Sequence, residues 1–495
     1  MDVPDRLPYE VLDRLHGDAG PELRPHHEPQ RAQLVISSKK SGTVRPFVRV
    51  RPRDLILYQA LVDRLAPAIE SALPPQRLVG AYRQVLTPGD EAFHGRPTND
   101  EFRVAIREAV AESGASYVLE SDVSGFFLGL GLGRLRDALL EVSDHADVVY
   151  DLTDMLGQWQ RSGVRGLPQG VRPSSPLGNF YLAPLDAAMG RHGVPFFRWM
   201  DDMWAICNSY SEARRVQDRI ERHLYGLGLT LNGEKTRIVR ADTALERLEP
   251  ALNRLERQQA AALEDAVEAF EHADYVDPED IPAPEDIERE VLVAKHDELV
   301  AMLGDDTLPS NFYTDLSLIY RQFEKLEDAH ALAEIPKVLV RAPDLSNVAM
   351  RYASSLASSH PAPVRAVFSD VLSKERFARD FEKLNVCHRA LKLPPHATSD
   401  LDERLAHLAM NDGHPLIRAK ALLGWGRHAR AADFGAADKF LAGCRPEWRV
   451  YALTAIQGKT RAARDERYRE WAGEGSGLGG VAAMLKSEPI AWTKL

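Results

Sequence analysis

The sequence predicts an α+β unit over about residues 38–245 and an all-α unit over 246–495, with residues 1–37 as an N-terminal extension. Three observations carry this division. Short apolar runs alternate with amphipathic helical patterns as far as about residue 245, the arrangement of a sheet covered by helices. Beyond that point strand-like runs nearly vanish, and Ala- and Leu-rich helical periodicity takes over. The charges are also segregated: "SKKSGTVRPFVRVRPRD" (38–54) is basic and "ALEDAVEAFEHADYVDPEDIPAPEDIERE" (262–290) is acidic.

Each element follows from its local pattern. Residues 1–36 are polar and contain Pro and His, which suits a helix with a loose lead-in. "LILYQALVDRLAPAIESAL" (55–73) spaces its apolar residues as a helix does. "SYVLESDVSGFF" (116–127) reads as a strand released at a glycine, and "GLGLG" (129–133) as a turn into the next helix rather than a phosphate loop. "PFFRWMDDMWAICNS" (195–209) predicts a strand–turn–strand hairpin, and "SEARRVQDRIERHLYGLGL" (211–229) an amphipathic helix stopped by glycines. "VDPEDIPAPEDI" (276–287) is composed as an exposed linker. Further on, Pro415, Arg418, Ala421 and Leu422 are echoed by Pro446, Arg449, Ala452 and Leu453. An offset of about 31 residues is close to a helix–turn–helix repeat, so the tail predicts a HEAT-like array, with an irregular bundle as the alternative.

Composition narrows the function classes. With 495 residues the chain can build two or three cores, and 44% hydrophobic with 27% charged residues is the balance of an ordinary soluble protein. No run of about 18 uncharged apolar residues is present, and the acidic first residues do not read as a secretory signal. No membrane partner is therefore expected. The three cysteines, Cys207, Cys387 and Cys444, make neither a disulfide framework nor a zinc spacing, and a cytoplasmic location follows. The histidines, such as His26, His27 and His414, show no metal-ligand spacing either. A net charge of −11 weakens long-range attraction to nucleic acid, yet the basic stripe at 38–54 can still hold phosphates locally.

"FFRWMDDMWAI" (196–206) sets Asp201 and Asp202 side by side among large apolar residues. Ionised carboxylates are costly in such surroundings unless something compensates them. Asp122, at the end of another apolar strand, would converge on them if the two strands are neighbours. Carboxylates that close repel unless a cation lies between them, and an all-oxygen set suits Mg²⁺ or Mn²⁺. Two such ions are the apparatus of nucleotidyl transfer, one activating the attacking hydroxyl and the other stabilising the leaving pyrophosphate.

The order Asp-Val-Ser-Gly-Phe-Phe (122–127), Gly-Leu-Pro-Gln-Gly-x-x-x-Ser-Ser-Pro-Leu-x-Asn (166–179), Phe-x-Arg-Trp-Met-Asp-Asp (196–202) and Leu-Asn-x-x-Lys-Thr (231–236) resembles the successive motifs of reverse transcriptases. "GTVRPFVRVRPRDLILYQAL" (42–61) is similar to the fingers motif of the bacterial enzymes. The resemblance implies a right-hand polymerase, fingers and palm with an antiparallel palm sheet, over 38–245. It implies that Asp122, Asp201 and Asp202 are the metal-binding catalytic carboxylates, with the Val123 carbonyl completing a metal shell and two Mg²⁺ or Mn²⁺ ions per active site. It implies that Phe127 is the bulky residue that excludes a ribose 2′-hydroxyl, so that dNTPs are the substrates and DNA the product. Gln169 and Gly170 match the loop beside the incoming nucleotide, and Lys235 a supporting cation. Arg45, Arg49 and Arg53 lie where fingers meet triphosphate or template. The family's usual Tyr is Trp199 here, an altered position that keeps an aromatic ring but has no phenol hydroxyl.

A polymerase palm followed by a helical tail looks most like the defence-associated abortive-infection and unknown-group reverse transcriptases. That resemblance implies an antiphage role, RNA-directed or template-independent DNA synthesis, homo-oligomers, and in some cases a cognate non-coding RNA. It also implies priming from a protein tyrosine in some members, for which the tail offers Tyr275, Tyr313, Tyr320, Tyr352, Tyr451 and Tyr468. Two alternatives stand beside it: a conventional RNA-templated enzyme of retron, group II intron or CRISPR-associated type, and an inactive palm serving as scaffold for a helical-repeat interaction protein.

Overall fold

The computed structural model describes residues 29–39, 43–75, 78–80, 99–271, 284–309, 311–373, 378–394, 400–428, 434–444, 448–471, 479–487 and 490–491. Most of the N-terminal extension, residues 276–283 of the expected linker, Tyr275 and Pro446 lie outside them.

Among the described residues, six strands form two sheets. Strands β1 (Gln33–Ser38) and β2 (Val44–Arg49) pair with each other. Strands β3 (Tyr117–Asp122), β4 (Phe196–Trp199), β5 (Asp202–Cys207) and β6 (Arg237–Arg240) form a sheet in the order β4-β5-β3-β6, antiparallel throughout. This is a palm-like antiparallel sheet, and both flanking strands of the expected hairpin are present.

The register of this sheet sorts its side chains into two faces, since directly paired residues project the same way. One face carries Leu119, Met203 and Ala205, packed with Ala213, Val216, Ile220 and Leu224 from the helix Tyr210–Gly226. The opposite face carries Val118, Phe197 and Ile206. Those residues are covered by Phe102, Ile106 and Val110 of the helix Asn99–Ser113 and by Ala244 and Leu248 of Ala241–Leu248. A sheet clothed on both faces reads as near-continuous apolar strands, which is why "FFRWMDDMWAI" looks buried.

Contacts gather the described residues into two units. One contains 29–34 and 46–254, and the other contains 35–45 and the residues from 255 onward. The division falls at 254/255 because the helix Ala241–Leu248 still packs on β3 and on Asn99–Ser113. From residue 255 onward the described elements are all helical. Ten of the described helices fall into two rows. Phe312–Leu326, Ser346–Ser355, Asp380–Ala390, Pro415–His428, Arg449–Ala455 and Gly479–Ser487 each touch the next, and so do Ile335–Arg341, Pro361–Val371, Asp400–Asn411 and Gly435–Ala442. The echoed Ala421, Leu422, Ala452 and Leu453 are all fully buried. A Cβ added at Gly426 would run into the Ala455 backbone, so glycine permits the close approach of the two helices that carry the echo.

Candidate active site

Two rows of side chains cross one face of the four-stranded sheet near the β4–β5 turn. The outer row is Trp199, Asp202 and Asp122, because Trp199 pairs with Asp202 and Asp202 with Asp122. The next row inward is Phe197, Trp204, Glu120 and Arg237. The two expected carboxylates on neighbouring strands therefore lie side by side. Asp201 sits on the turn itself, where its backbone carbonyl accepts from the Val123 N–H at 3.2 Å. The N–H and C=O of an extended residue point the same way, so the Val123 carbonyl faces the aspartate turn.

Burial, the neighbouring carboxylates Asp201 and Asp122, and a hydrogen bond with Asp122 push the Asp202 carboxyl up to about 7, while Lys235 pulls the other way. Lys235 Nζ lies 3.1 Å from Asp122 Oδ2. Asn232 adds two contacts to the same residue: its side-chain amide donates to Asp122 Oδ2 at 3.2 Å and its backbone N–H to the Asp122 carbonyl at 2.7 Å. The segment 231–236 is held around Asn232, whose carbonyl accepts from the Thr236 N–H and hydroxyl. An anionic oxygen cluster with one nearby cation is a donor set that fits a hard dication such as Mg²⁺.

The β4–β5 turn has a fixed support. Met200 adopts φ 57°, in the region that favours glycine, and its side chain is buried. Beneath it Arg198, fully buried, forms a two-pronged pair with Asp186 at 2.8 and 2.6 Å. The same guanidinium donates to Asn179 Oδ1 at 2.9 Å, to the Asn179 carbonyl at 3.2 Å and to the Met200 carbonyl at 2.9 Å. A planar fork satisfied in this way is the residue type suited to a buried pair. Arg198, Asn179, Asp186 and Asn232 had no role in the sequence reading. Three of the four stand inside the quoted motifs, which was the available signal.

The remaining expected residues fall into five groups. Phe127 is half-buried against Phe126, and its carbonyl accepts from the Leu167 N–H at 2.9 Å. Gly166, at φ 59°, permits that approach, since a Cβ there would strike the Phe127 carbonyl oxygen. Gln169 and Gly170 pack on β2: the Val48 N–H donates to the Gln169 carbonyl at 2.7 Å, and Gly170 lies against the Phe47 ring at φ 92°. Arg53 is exposed, Arg45 half-buried, and Arg49 buried with Nη1 donating to Gln33 Oε1 at 3.2 Å. Trp199 packs on Phe102, ring centres 5.3 Å apart. The tail tyrosines Tyr313, Tyr320, Tyr352, Tyr451 and Tyr468 are all buried, and desolvation raises the phenols of Tyr313, Tyr320, Tyr352 and Tyr468. Side chains this enclosed are poorly placed to act as primers in this conformation.

Residues 37–268 match the model of the family described as reverse transcriptase (RNA-dependent DNA polymerase). The Retron Mx65 reverse transcriptase of Myxococcus xanthus is 24% identical over 225 residues, which is 40% of this chain and 52% of that protein. The chain thus spans about half the length of the curated relative it matches. Among solved structures, telomerase from Candida albicans in complex with a fragment of telomeric RNA aligns at a TM-score of 0.32 and 11% identity, covering 72% of this chain and 65% of that one. No described helix is long and apolar enough to cross a membrane.

Proposed function

We propose that this chain, whose residues 37–268 match the reverse transcriptase family model, is a DNA polymerase that joins dNTPs at Asp122, Asp201 and Asp202. One observation carries this reading. Asp202 and Asp122 stand abreast at the end of the palm-like sheet, with Asp201 on the adjoining turn and no neutralising charge beyond Lys235 among the groups that set the Asp202 carboxyl. These carboxylates would hold the divalent ions, Mg²⁺ or Mn²⁺, which supply activation of the attacking hydroxyl and neutralisation of the leaving pyrophosphate. Lys235 and Asn232 fix Asp122, while the Arg198 brace fixes the turn that carries Asp201 and Asp202. By its match to the family motif, Phe127 would be the ring that excludes a ribose 2′-hydroxyl, and the Gln169–Gly170 loop lies against β2. Purified protein given labelled dNTPs, Mg²⁺ or Mn²⁺ and a primed RNA template should extend the primer, and Asp201→Asn should lower the rate by orders of magnitude. Equal extension by Asp201→Asn would sink the proposal in favour of a scaffold palm.

Template use divides two finer readings. The retron relative favours RNA-templated synthesis. The alternating helical rows support a HEAT-like array, and with Trp199 they favour the defence-associated type, an antiphage homo-oligomeric enzyme able to work without a template. DNA made from dNTPs alone, retained with protein until proteinase treatment, supports the second reading. Strict dependence on added template and primer supports the first.

A further inference from the structure

Among the described residues, one group of His, Cys, Asp or Glu side chains has its potential donor atoms close enough together to hold a metal ion. His296 and Asp297 are consecutive on the helix Pro284–Ala301, and His330 lies between the helices Phe312–Leu326 and Ile335–Arg341. One potential donor atom from each of the three lies within 4.8 Å of the others. Asp297 Oδ1 is 3.0 Å from His296 Nδ1 and 2.8 Å from His330 Nε2.

Several features make this more than a chance meeting. His296 is fully buried against Tyr320 and Phe323, and its Nε2 is enclosed without a hydrogen-bond partner. Its only polar contact is therefore made by Nδ1, the nitrogen that faces the cluster. The segment bearing His330 is held before any ligand arrives. Asp328 accepts from Arg289 at 2.7 Å and from the His330 N–H at 2.9 Å, and its carbonyl accepts from the Tyr352 hydroxyl at 2.6 Å. Glu327, just upstream, is at φ 52°, one of two non-glycine residues with positive φ among the described residues, and the other is Met200 in the palm turn. Asp297 and His330 remain partly open, so solvent can complete a coordination shell.

We propose that His296, Asp297 and His330 bind one first-row transition dication of the Zn²⁺ class, with water filling the remaining position. Two imidazoles and one carboxylate are the ligand number of an open zinc site, and imidazole donors favour Zn²⁺, Ni²⁺ or Cu²⁺ over Mg²⁺. The palm, with oxygen donors only, has the opposite preference. The site would clip the helix Pro284–Ala301 to the turn at 328–330, and so stabilise the helical unit rather than take part in nucleotidyl transfer.

The test uses the full-length chain, stripped with chelator and returned to excess Mg²⁺ so that the palm does not compete. Zn²⁺ titrated by calorimetry should bind at one equivalent and raise the melting midpoint. Co²⁺ in its place should give the visible absorption of a low-coordinate nitrogen and oxygen site. His330→Ala and Asp297→Asn, both at partly exposed positions, should each weaken Zn²⁺ at least about 100-fold, since even outer-shell losses cost 10- to 100-fold. Both should leave primer extension in Mg²⁺ unchanged. Absence of Zn²⁺ binding, or equal binding by wild type and both variants, would overturn the proposal and leave a hydrogen-bonded trio with Asp297 accepting from both rings.

Discussion

Asp202 shows how a single residue records the demand of its site. Its carboxyl is pushed up to about 7 by burial and by Asp201 and Asp122. A folded-state value above the ordinary carboxylate range means that ionisation opposes folding. That cost begins as pH rises past about 4, grows until about 7 and is constant above it. Asp202→Asn removes the charge while keeping the shape. In chelator at pH 8 the variant should melt above wild type by about 3 °C, the shift that roughly 1 kcal/mol produces in a domain of this size. The gap should close as pH falls through about 4, where the folded wild-type carboxyl is protonated and the unfolded one becomes so. Millimolar Mg²⁺ should also narrow it, by stabilising only the wild type. A variant that melts at or below wild type at pH 8 without metal would remove the repulsion argument. The same substitution should abolish extension, so stability and activity move in opposite directions.

At the scale of the element, the β4–β5 hairpin depends on what lies under its turn. Met200 holds an unfavoured backbone conformation, and Arg198 donates one hydrogen bond to the Met200 carbonyl and four to Asp186 and Asn179. Arg198 touches no expected substrate position and is a positioning residue. Arg198→Lys keeps the charge but loses the fork, leaving buried acceptors unmet at about 1–3 kcal/mol each. We expect a lower melting midpoint, a kcat reduced about 10²-fold, as for ångström-scale misplacement, and a dNTP KM close to that of wild type. A kcat equal to wild type in the folded variant would make Arg198 structural only. The hairpin and its aspartates were legible in the sequence because period-two patterning and motif spacing are local. The brace was not, because Arg198 meets Asp186 and Asn179 only after the chain has folded back on itself. The same holds for His296 and His330, whose separation fits no metal motif. The helical rows were visible only as one echo, since apolar periodicity is the same in an array and in an irregular bundle.

For the molecule as a whole, net charge and proposed function pull against each other. A chain at −11 does not attract a polyanion from a distance, so affinity for template must come from local cations. Arg53 is the clearest of them. It stands exposed in the first turn of the helix Pro52–Ser71, whose N-terminal dipole disfavours a cation by about 0.3–1 kcal/mol. Arg49, buried beside Gln33, is a poorer candidate for a phosphate contact. If Arg53 holds one phosphate, Arg53→Ala should weaken binding of a labelled single strand to a similar degree whatever its sequence. It should also make the plot of log affinity against log salt shallower by about 0.7, the counterion release expected for one single-strand phosphate contact. Fluorescence anisotropy across a salt series measures both. Arg222→Ala, at an exposed cation already paired with Asp218, should leave the slope as it was. An unchanged slope in Arg53→Ala would place the template elsewhere on the basic stripe. A slope that falls equally in both variants would mean that binding follows overall charge and that the stripe has no special part in it.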